Sequence, residues 1–426
     1  MVAQKQSISF IDRHTGGDRG VLVHVDFNTP DAHGVEEFKE LVRASGVECH
    51  ELIQVKRSAP SVKYFVGKGV AESLRDAVLE HEANVVIFNH ALTPAQGRNL
   101  EELCCCRVID RTELILDIFA QRARSFEGKL QVELAQLEHL KTRLIRGWTH
   151  LERQKGGIGL RGPGETQLET DRRLLDVRIK TIRKRLEKVA KQRSLSRRQR
   201  QKNTIPSVSL VGYTNAGKST LFNAVTQADA FCADQLFATL DPTLRHCVLP
   251  SLGKVILADT VGFIRDLPHD LIAAFKGTLE EAREANLLLH VLDCSHPGRR
   301  SLIDNVKAVL QEIEAHDVPV LYVYNKVDLV GDQPRIDYDA QGVPVRVWLS
   351  AVTGDGLDML KTAIVERLCS TVIKETVVLS NTEALLRAKL YDIGAVTDET
   401  ILIEGGWELE ITLSAQDYRR FFPKEG

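Results

Sequence analysis

The stretch Gly212-Tyr213-Thr214-Asn215-Ala216-Gly217-Lys218-Ser219 decides the fold of the middle of the chain, because it fits the pattern Gly-x-x-x-x-Gly-Lys-Ser/Thr of a phosphate-binding loop. Residues 208–211 before it are typical of a buried strand, and residues 220–225 after it are typical of an apolar-faced helix. Glycines let backbone N–H groups approach phosphate oxygens, and the positive end of the helix faces the same anion. We therefore predict a P-loop domain in which Lys218 reaches the β- and γ-phosphates and Ser219 offers its hydroxyl to Mg²⁺.

Two downstream segments extend this site. Phe237-Ala238-Thr239-Leu240-Asp241 follows the first helix, and Asp259-Thr260-Val261-Gly262 ends the second strand of a hairpin predicted at 244–258. An Asp at a strand end can hold the shell of a Mg²⁺ ion, and the N–H of the Gly can meet a γ-phosphate.

The choice of base is predicted from Asn325-Lys326-Val327-Asp328, which follows a strand expected at 320–324; a last strand at 345–349 ends in Ser350-Ala351. The carboxylate of Asp328 accepts hydrogen bonds, and guanine offers N1–H and a 2-amino group together, whereas adenine offers neither donor at that edge. A buried polar mismatch of this kind discriminates by factors of about 10⁴. We expect GTP to be preferred over ATP.

Composition restricts the class of protein. The 426 residues are enough for roughly three domains, and 43% apolar residues are enough for real cores. The formal net charge is −2, yet residues 141–202 contain 20 Lys/Arg and 6 Asp/Glu, which indicates a polyanionic partner for that segment. The N-terminus lacks an apolar signal core, and no apolar run reaches the ~18 residues of a membrane span.

The eight cysteines include three in succession, Cys104, Cys105 and Cys106, and no Cys-x-x-Cys pair. Adjacent residues of a strand point to opposite faces, so these three do not converge on one metal. We expect the cysteines to be buried thiols of a reducing compartment.

Hydrophobic patterning divides the chain into four parts. Residues 1–110 alternate strands (21–25, 47–55, 85–88 and 105–109) with helices, which predicts a small parallel α/β sheet. Residues 111–202 read as one helix from about 113 to 146, a loop and a second helix, that is, an antiparallel hairpin with a coiled-coil seam. Residues 203–373 hold the nucleotide motifs. Residues 374–426 are predicted to form a small α/β domain, with strands at about 376–379, 400–404 and 407–412 and a helix at 382–391.

The loop of the hairpin is unusual, because Gly156 to Gly164 contains five glycines. It is either a tip that lets backbone approach an RNA or ribosomal surface or a solvated linker, and composition does not separate the two. For the basic run 191–202 at the end of the second helix we favour contact with RNA phosphates over a merely solvated face.

The order and spacing of these motifs are those of Ras-like and translation-type GTPases, and the chain resembles the HflX family of ribosome-associated GTPases. The resemblance rests on 237–241, on Asp259-Thr260-Val261-Gly262-Phe263 and on a stretch that is specific to this family, Arg161-Gly162-Pro163-Gly164-Glu165-Thr166-Gln167-Leu168-Glu169-Thr170-Asp171-Arg172-Arg173; the GTPase motifs alone are generic to many G proteins. The resemblance covers essentially the whole chain.

The resemblance implies an α/β protein with an N-terminal parallel α/β domain (1–110), a helical hairpin linker (111–202), a Ras-like P-loop GTPase domain (203–373) and a small C-terminal α/β domain (374–426). It implies GTP hydrolysis, binding to rRNA of the large ribosomal subunit, and separation of stalled ribosomes under stress. We expect a monomer in the cytoplasm, bound to ribosomes or peripheral to a membrane. The nucleotide site carried over consists of Gly212, Tyr213, Thr214, Asn215, Ala216, Gly217, Lys218, Ser219, Phe237, Ala238, Thr239, Leu240, Asp241, Asp259, Thr260, Val261, Gly262, Asn325, Lys326, Val327, Asp328, Ser350, Ala351 and Val352, with Ser219 and Thr239 as Mg²⁺ ligands.

One position departs from Ras. Phe263 stands where Ras-like proteins place the water-orienting Gln, and an apolar ring cannot orient water by hydrogen bonding. The catalytic group is therefore unknown, and we expect slow intrinsic hydrolysis that a partner such as the ribosome accelerates. Asn215 raises the further hypothesis that K⁺ assists hydrolysis. The alternatives to a switch are an RNA-binding scaffold and an accessory GTPase of RNA modification.

Overall fold

The computed structural model describes residues 17–27, 31–147, 167–202, 205–226, 236–237, 239–250, 252–265, 276–370, 372–392, 394–402, 405–414, 418 and 421–422. The chain falls into two compact units. Unit 1 comprises Met1–Leu186, Gln235–Phe237 and Arg265–Ala274, and unit 2 comprises Glu187–Asp234, Ala238–Ile264 and Phe275–Gly426.

Unit 1 contains the parallel α/β sheet predicted for the start of the chain. Its four strands are parallel in the order β2-β1-β3-β4, and all four residues of β3 are buried, as a strand covered on both faces requires. Helix α3 begins at Pro94, and Thr93 and Gln96 cap it reciprocally. The strands are β1 (Arg19–Phe27), β2 (Glu48–Arg57), β3 (Val85–Phe88) and β4 (Arg107–Ile109), and the helices are α1 (Ala32–Ser45), α2 (Lys68–Glu80), α3 (Pro94–Cys104), α4 (Arg111–Arg122) and α5 (Phe126–Gly147).

The prediction of a single helix from 113 to 146 is wrong. Two helices occupy this range, α4 and α5, because Ala123 adopts extended backbone and ends the first. Ser125 then starts the second by accepting a hydrogen bond from the Gly128 N–H at 2.8 Å. The apolar residues of α4, such as Leu114, Ile115 and Phe119, are fully buried, so α4 belongs to the core of unit 1 rather than to an exposed hairpin.

The predicted coiled-coil seam joins α5 to α6 (Gln167–Lys202). The ion pairs Lys141–Asp176 and Glu138–Arg183 connect the two helices in antiparallel order. One cluster buries the apolar stripe of both helices: Leu130, Leu134, Leu137, Leu175, Ile179 and Ile182. The glycine-rich tip 156–164 lies outside the described residues.

The nucleotide motifs lie on a seven-stranded sheet in unit 2, ordered β10-β11-β9-β8-β5-β7-β6. Strand β5 pairs in parallel with β7 and β8, and the P-loop leaves its carboxyl end. The predicted hairpin is β6–β7, whereas β10 at one edge was not predicted. The strands are β5 (Ser207–Gly212), β6 (Thr243–Leu249), β7 (Gly253–Asp259), β8 (Leu287–Asp293), β9 (Val320–Asn325), β10 (Arg335–Tyr338) and β11 (Pro344–Trp348). The helices are α7 (Lys218–Thr226), α8 (Lys276–Arg283), α9 (Arg299–Glu312), α10 (Val327–Val330) and α11 (Leu357–Ser370).

The end of the chain forms a small three-stranded antiparallel sheet, ordered β12-β14-β13, with one helix and a core that includes Leu379, Leu390 and Leu409. The strand expected at 400–404 instead begins four residues earlier. The elements are β12 (Val372–Leu379), a short 3₁₀ helix (Asn381–Glu383), α12 (Ala384–Asp392), β13 (Val396–Ile401) and β14 (Trp407–Ser414).

The thiols follow the expectation only in part. Cys104, Cys247 and Cys294 are buried, but Cys49 and Cys105 are exposed. Burial raises the pKa of the Cys104 thiol to about 11 and that of Cys106 to about 12, so both are protonated and poorly nucleophilic near neutrality. The described residues contain no group of three or more His, Cys, Asp or Glu side chains placed to hold a metal.

Candidate nucleotide site

The P-loop adopts backbone angles that explain its glycines. Gly212 has φ +143°, and a Cβ there would lie 2.3 Å from the carbonyl oxygen of Val291. Gly217 has φ +88°, and a Cβ there would lie 2.3 Å from the Asn325 side-chain amide. Asn215 is also left-handed, with φ +61°, and is exposed. The loop therefore wraps tightly against β8 and β9 while its N–H groups stay free of side-chain obstruction.

Lys218 begins α7 and is buried, with 6% of its surface exposed. Its ammonium donates a hydrogen bond to the Tyr213 carbonyl at 2.7 Å across the loop. Burial lowers the pKa of Lys218 to about 8, and the nearby Asp259 carboxylate opposes that shift. A buried, poorly solvated cation at a helix N-terminus is the group that a phosphate stabilises most.

Three oxygen-bearing side chains converge beside Lys218. The hydroxyls of Ser219 and Thr239 lie 2.7 Å apart, and they donate to the same Asp259 carboxylate oxygen at 2.7 and 2.9 Å. The other carboxylate oxygen of Asp259 is buried without a hydrogen-bond partner. Burial raises the pKa of Asp259, while Ser219 and Lys218 oppose the shift.

This donor set suits Mg²⁺, which prefers hydroxyl and carboxylate oxygens. The orphaned oxygen of Asp259 provides a second acceptor for a metal shell, so the residues fit the ion that the sequence predicts. When bound, Mg²⁺ neutralises charge on the phosphates. The structure brings the two predicted ligands, Ser219 of α7 and Thr239, together beside Asp259, the last residue of β7.

Gly262 and Phe263 pack against the P-loop through their backbone. Thr214 N–H donates to the Phe263 carbonyl at 2.8 Å, and Phe263 N–H donates to the Gly212 carbonyl at 3.1 Å. A Cβ on Gly262 would lie 2.7 Å from the Thr214 methyl and 2.9 Å from the Lys218 ammonium. The Phe263 ring is buried, with 2% exposed, so its side chain has no access to an attacking water.

The base-binding side is held together by Asn325, which is 2% exposed. Its amide donates to the Ala216 carbonyl at 3.0 Å, and its carbonyl accepts from Ala351 N–H at 2.9 Å. This one side chain therefore joins the P-loop to the 350–352 loop. Asp328 is exposed in α10, where its carboxylate can receive a base from solvent.

Sequence reasoning missed Asp293. It ends β8, and its carboxylate forms a 2.7 Å ion pair with the Lys326 ammonium. Lys326 lies in the left-handed region at φ +67°, and the ion pair fixes its stem beside the base site. The signal was available, because a polar residue at the carboxyl end of a buried parallel strand is where α/β proteins place ligand-binding groups.

The remaining predicted residues differ in burial and in the unit to which they belong. Phe237 belongs to unit 1, where its ring packs edge-on against Phe119 at 4.6 Å between ring centroids, so its side chain is engaged in the core of that unit. Ala238 lies outside the described residues. Val352 is 78% exposed. Ser350, whose hydroxyl accepts from Thr353 N–H, is buried, and so are Leu240, Thr260, Val261 and Val327.

Four family models match successive parts of the chain. They are "GTP-binding GTPase N-terminal" over residues 32–120, "GTP-binding GTPase Middle Region" over 122–200, "50S ribosome-binding GTPase" over 207–326 and "HflX C-terminal domain" over 336–421. The last begins within the seven-stranded sheet, at β10.

Relatives match along nearly the full length. The chain is 56% identical to the GTPase HflX of Escherichia coli (strain K12) over 97% of its own length and 98% of the relative's, and 44% identical to the GTPase HflX of Magnetococcus marinus over 91% of each. Among solved structures, a GTP-binding protein of Sulfolobus solfataricus in complex with GDP is 23% identical, covers 83% of this chain and 99% of its own, and gives a TM-score of 0.45. With its P-loop GTPase site and these relatives, the chain is a GTP hydrolase and belongs to the HflX family.

Proposed function

We propose that this chain is a GTP-dependent switch that binds the large ribosomal subunit and separates stalled ribosomes under stress. The observation that carries the proposal is the convergence of Ser219, Thr239 and Asp259 on one hydrogen-bonded cluster next to Lys218. It joins a residue of the 237–241 segment to the P-loop, which is the connection through which a nucleotide switch senses a γ-phosphate. The match to a "50S ribosome-binding GTPase" model over 207–326 supports the partner.

The switching step follows from the close packing of Gly262 on the P-loop. We infer that a γ-phosphate bound by both the Lys218 ammonium and the Gly262 N–H separates residue 262 from the P-loop, because even a Cβ on Gly262 would lie 2.7 Å from the Thr214 methyl and 2.9 Å from the ammonium. Separation breaks the two backbone hydrogen bonds that Phe263 makes with the loop. GTP thus exchanges one ordered arrangement of residues 262–263 for another, and hydrolysis restores the first.

Hydrolysis requires help from a partner. Phe263 replaces the water-orienting Gln and is buried, so the free protein lacks a side chain at that position to align water. We infer that the ribosome orders the site. K⁺ near Asn215 is a second candidate for assistance; equal rates in K⁺ and Na⁺ buffers, with and without ribosomes, would rule it out.

The basic end of α6 supports an RNA contact. Residues 191–202 carry six Lys/Arg and no Asp/Glu on a helix, a composition that binds phosphate backbone. We infer that the glycine-rich tip 156–164, which precedes α6 in the sequence, makes an RNA contact of its own. We infer that the protein is a cytoplasmic monomer with four domains, 1–110, 111–202, 203–373 and 374–426. Helix α4 packs with the N-terminal domain, 1–110. None of the described helices combines the length and the apolar character that crossing a bilayer requires.

Single-turnover hydrolysis with and without large subunits tests the proposal. We expect Thr239→Ala to abolish most of the ribosome-stimulated rate, because it removes one of the two hydroxyls beside Asp259. The same substitution at Thr243, the first residue of β6, is the control and should retain the stimulation. Equal stimulation of both variants, or none of the parent protein, would contradict the switch. A scaffold or an accessory GTPase of RNA modification would then be favoured. Partner binding that is equally tight with GTP, with GDP and without nucleotide would identify the scaffold.

A further inference from the structure

The edge of the seven-stranded sheet at β9, β11 and β10 has an unusual arrangement of aromatic and cationic side chains. Between β9 and β11 the chain forms only the four-residue helix α10 and the edge strand β10. One face of these strands is apolar: Val323 and Val347 lie in the main core, together with Leu360 of α11. The other face carries the residues that alternate with them.

Three planar groups stack in register across this second face. Trp348 lies opposite Tyr324 on one side and Arg335 on the other. The Tyr324 and Trp348 rings are nearly parallel, 14° apart, with centroids at 4.3 Å. The Arg335 guanidinium carbon lies 4.1 Å from the centroid of the Trp348 ring. The stack thus runs from the sheet interior to its edge and ends in a cation.

Asp337 holds the outer layers in place. One of its oxygens accepts from the Trp348 indole N–H at 2.9 Å, and the other accepts from Arg335 Nε at 3.3 Å. The side chain of Arg335 remains 46% exposed. An exposed guanidinium plane, fixed from below, is available for a further planar group on its outer side.

A second row beside the stack adds charge. Arg346 lies between Asp337 and Tyr322 in the strand register, and it is exposed, whereas Tyr322 is half-buried. The face therefore carries two cations, Arg335 and Arg346, against one carboxylate that is already engaged. This excess of positive charge favours an anionic partner, and the stacked rings favour a partner that itself carries planar groups.

We propose that this face, which consists of Tyr322, Tyr324, Arg335, Arg346 and Trp348, binds single-stranded RNA by stacking a base on the Arg335–Trp348 layers. Unpaired bases stack on aromatic rings and on guanidinium planes, and a nearby Arg neutralises the phosphate between them. The face lies on the GTPase domain, where Tyr324 and Trp348 adjoin the motifs at 325–328 and 350–352, but Arg335 and Arg346 belong to neither motif. The inference takes its partner class from the proposed ribosome binding but needs neither GTP nor a ribosome to be tested.

The experiment measures binding of a fluorescein-labelled oligouridylate of about ten nucleotides, a length within the range of known single-strand sites, to the full chain. Salt of about 0.3 M suppresses phosphate contacts such as those of α6, so that stacking dominates. Quenching of Trp348 fluorescence by unlabelled RNA reports contact at this face, and Trp348→Phe, which keeps a stacking ring, identifies that signal.

We expect Arg335→Ala to weaken RNA binding about five- to tenfold, the loss typical of one stacked base. Arg346→Ala should give a second loss that grows as salt is lowered, because Arg346 neutralises a phosphate. The matched control is Arg245→Ala, an exposed arginine on β6 at the opposite edge of the same sheet, which should change affinity less than twofold. Circular dichroism verifies that each variant is folded.

Three results would overturn the proposal: equal affinities of the Arg335 and Arg245 variants, RNA binding without quenching of Trp348, or no RNA binding by the parent protein. If Arg335→Ala weakens ribosome binding but leaves the oligonucleotide affinity unchanged, the occupant is a protein and RNA is excluded. Failure of ribosome binding itself would leave the oligonucleotide result standing, so the two proposals fail separately.

Discussion

Removal of the Asn325 side chain tests whether one residue holds the base side of the site together. Asn325→Ala deletes a hydrogen bond to the Ala216 carbonyl and one from the Ala351 N–H. Both partner residues are buried, at 3% and 6% exposure, so water does not replace the lost partner. A buried polar group left without a partner costs about 1–3 kcal/mol, and two such groups give ~2–6 kcal/mol.

The assays are thermal unfolding and GDP affinity of the full chain. A loss of ~2 kcal/mol or more in a domain of this size lowers Tm by at least about 4 °C. Because the P-loop and the 350–352 loop lose their connection, we also expect GDP affinity to fall at least about tenfold, which is 1.4 kcal/mol.

Asn286→Ala is the matched control. Its side chain accepts a 2.8 Å hydrogen bond from the Ser207 N–H, but it is exposed, so water can replace the amide. The net loss for such a bond is about 1 kcal/mol or less. If both variants show the same Tm and GDP affinity within about twofold, an effect below 0.5 kcal/mol, Asn325 does not join the loops and the reasoning is refuted.

Three further changes test other parts of the site. Asp328→Ala should lower GDP affinity by a factor of about 10² or more and leave ADP affinity unchanged, because only guanine offers donors to the carboxylate. Competition binding measures both affinities. An equal effect on both nucleotides would refute the assignment of Asp328 to guanine recognition. Gly212→Ala should lower Tm far more than Gly253→Ala. Both glycines have positive φ, but only a Cβ at 212 would meet a backbone oxygen, that of Val291, at 2.3 Å. Equal Tm shifts of the two variants would contradict this close approach. Because the pKa of Lys218 is lowered to about 8 and phosphate binding needs the protonated ammonium, GDP affinity should fall as pH rises through that value. At pH 9 it should be about tenfold below its low-pH limit, and affinity that stays constant to pH 9 would contradict a lowered pKa.

Much of the architecture could be predicted because the sequence signals were local. The P-loop at 212–219 is a fixed spacing of glycines, Lys and Ser, and its flanking strand and helix are apolar runs of the expected lengths. The parallel sheet of unit 1 followed from apolar strands such as β3 that alternate with helices. These predictions needed no knowledge of contacts between distant residues.

The errors arose where periodicity continued across a boundary. Helical patterning runs through Ala123, which has neither the backbone freedom of Gly nor the fixed ring of Pro, so the break between α4 and α5 was not apparent from spacing. Ser125 was a readable start signal for α5. Strand β10 was missed because four residues of an exposed edge strand carry little apolar pattern.

The relation between site residues was the part that sequence could not supply. Nothing in the spacing shows that Asn325 reaches both Ala216 and Ala351, or that the Phe263 backbone pairs with the P-loop. These are tertiary contacts between segments about 26 to 109 positions apart, set by the packing of strands rather than by local preference.

Cosedimentation with large ribosomal subunits, in GDP and in a non-hydrolysable GTP analogue, tests the central claim most directly. A γ-phosphate that separates Gly262 from Lys218 should produce the ribosome-binding form, so the protein should pellet with the analogue and remain in the supernatant with GDP. The hydrolysis rate, measured alongside, should rise when subunits are added. Equal pelleting with both nucleotides would contradict a switch, and no pelleting with either would contradict the ribosome as its partner.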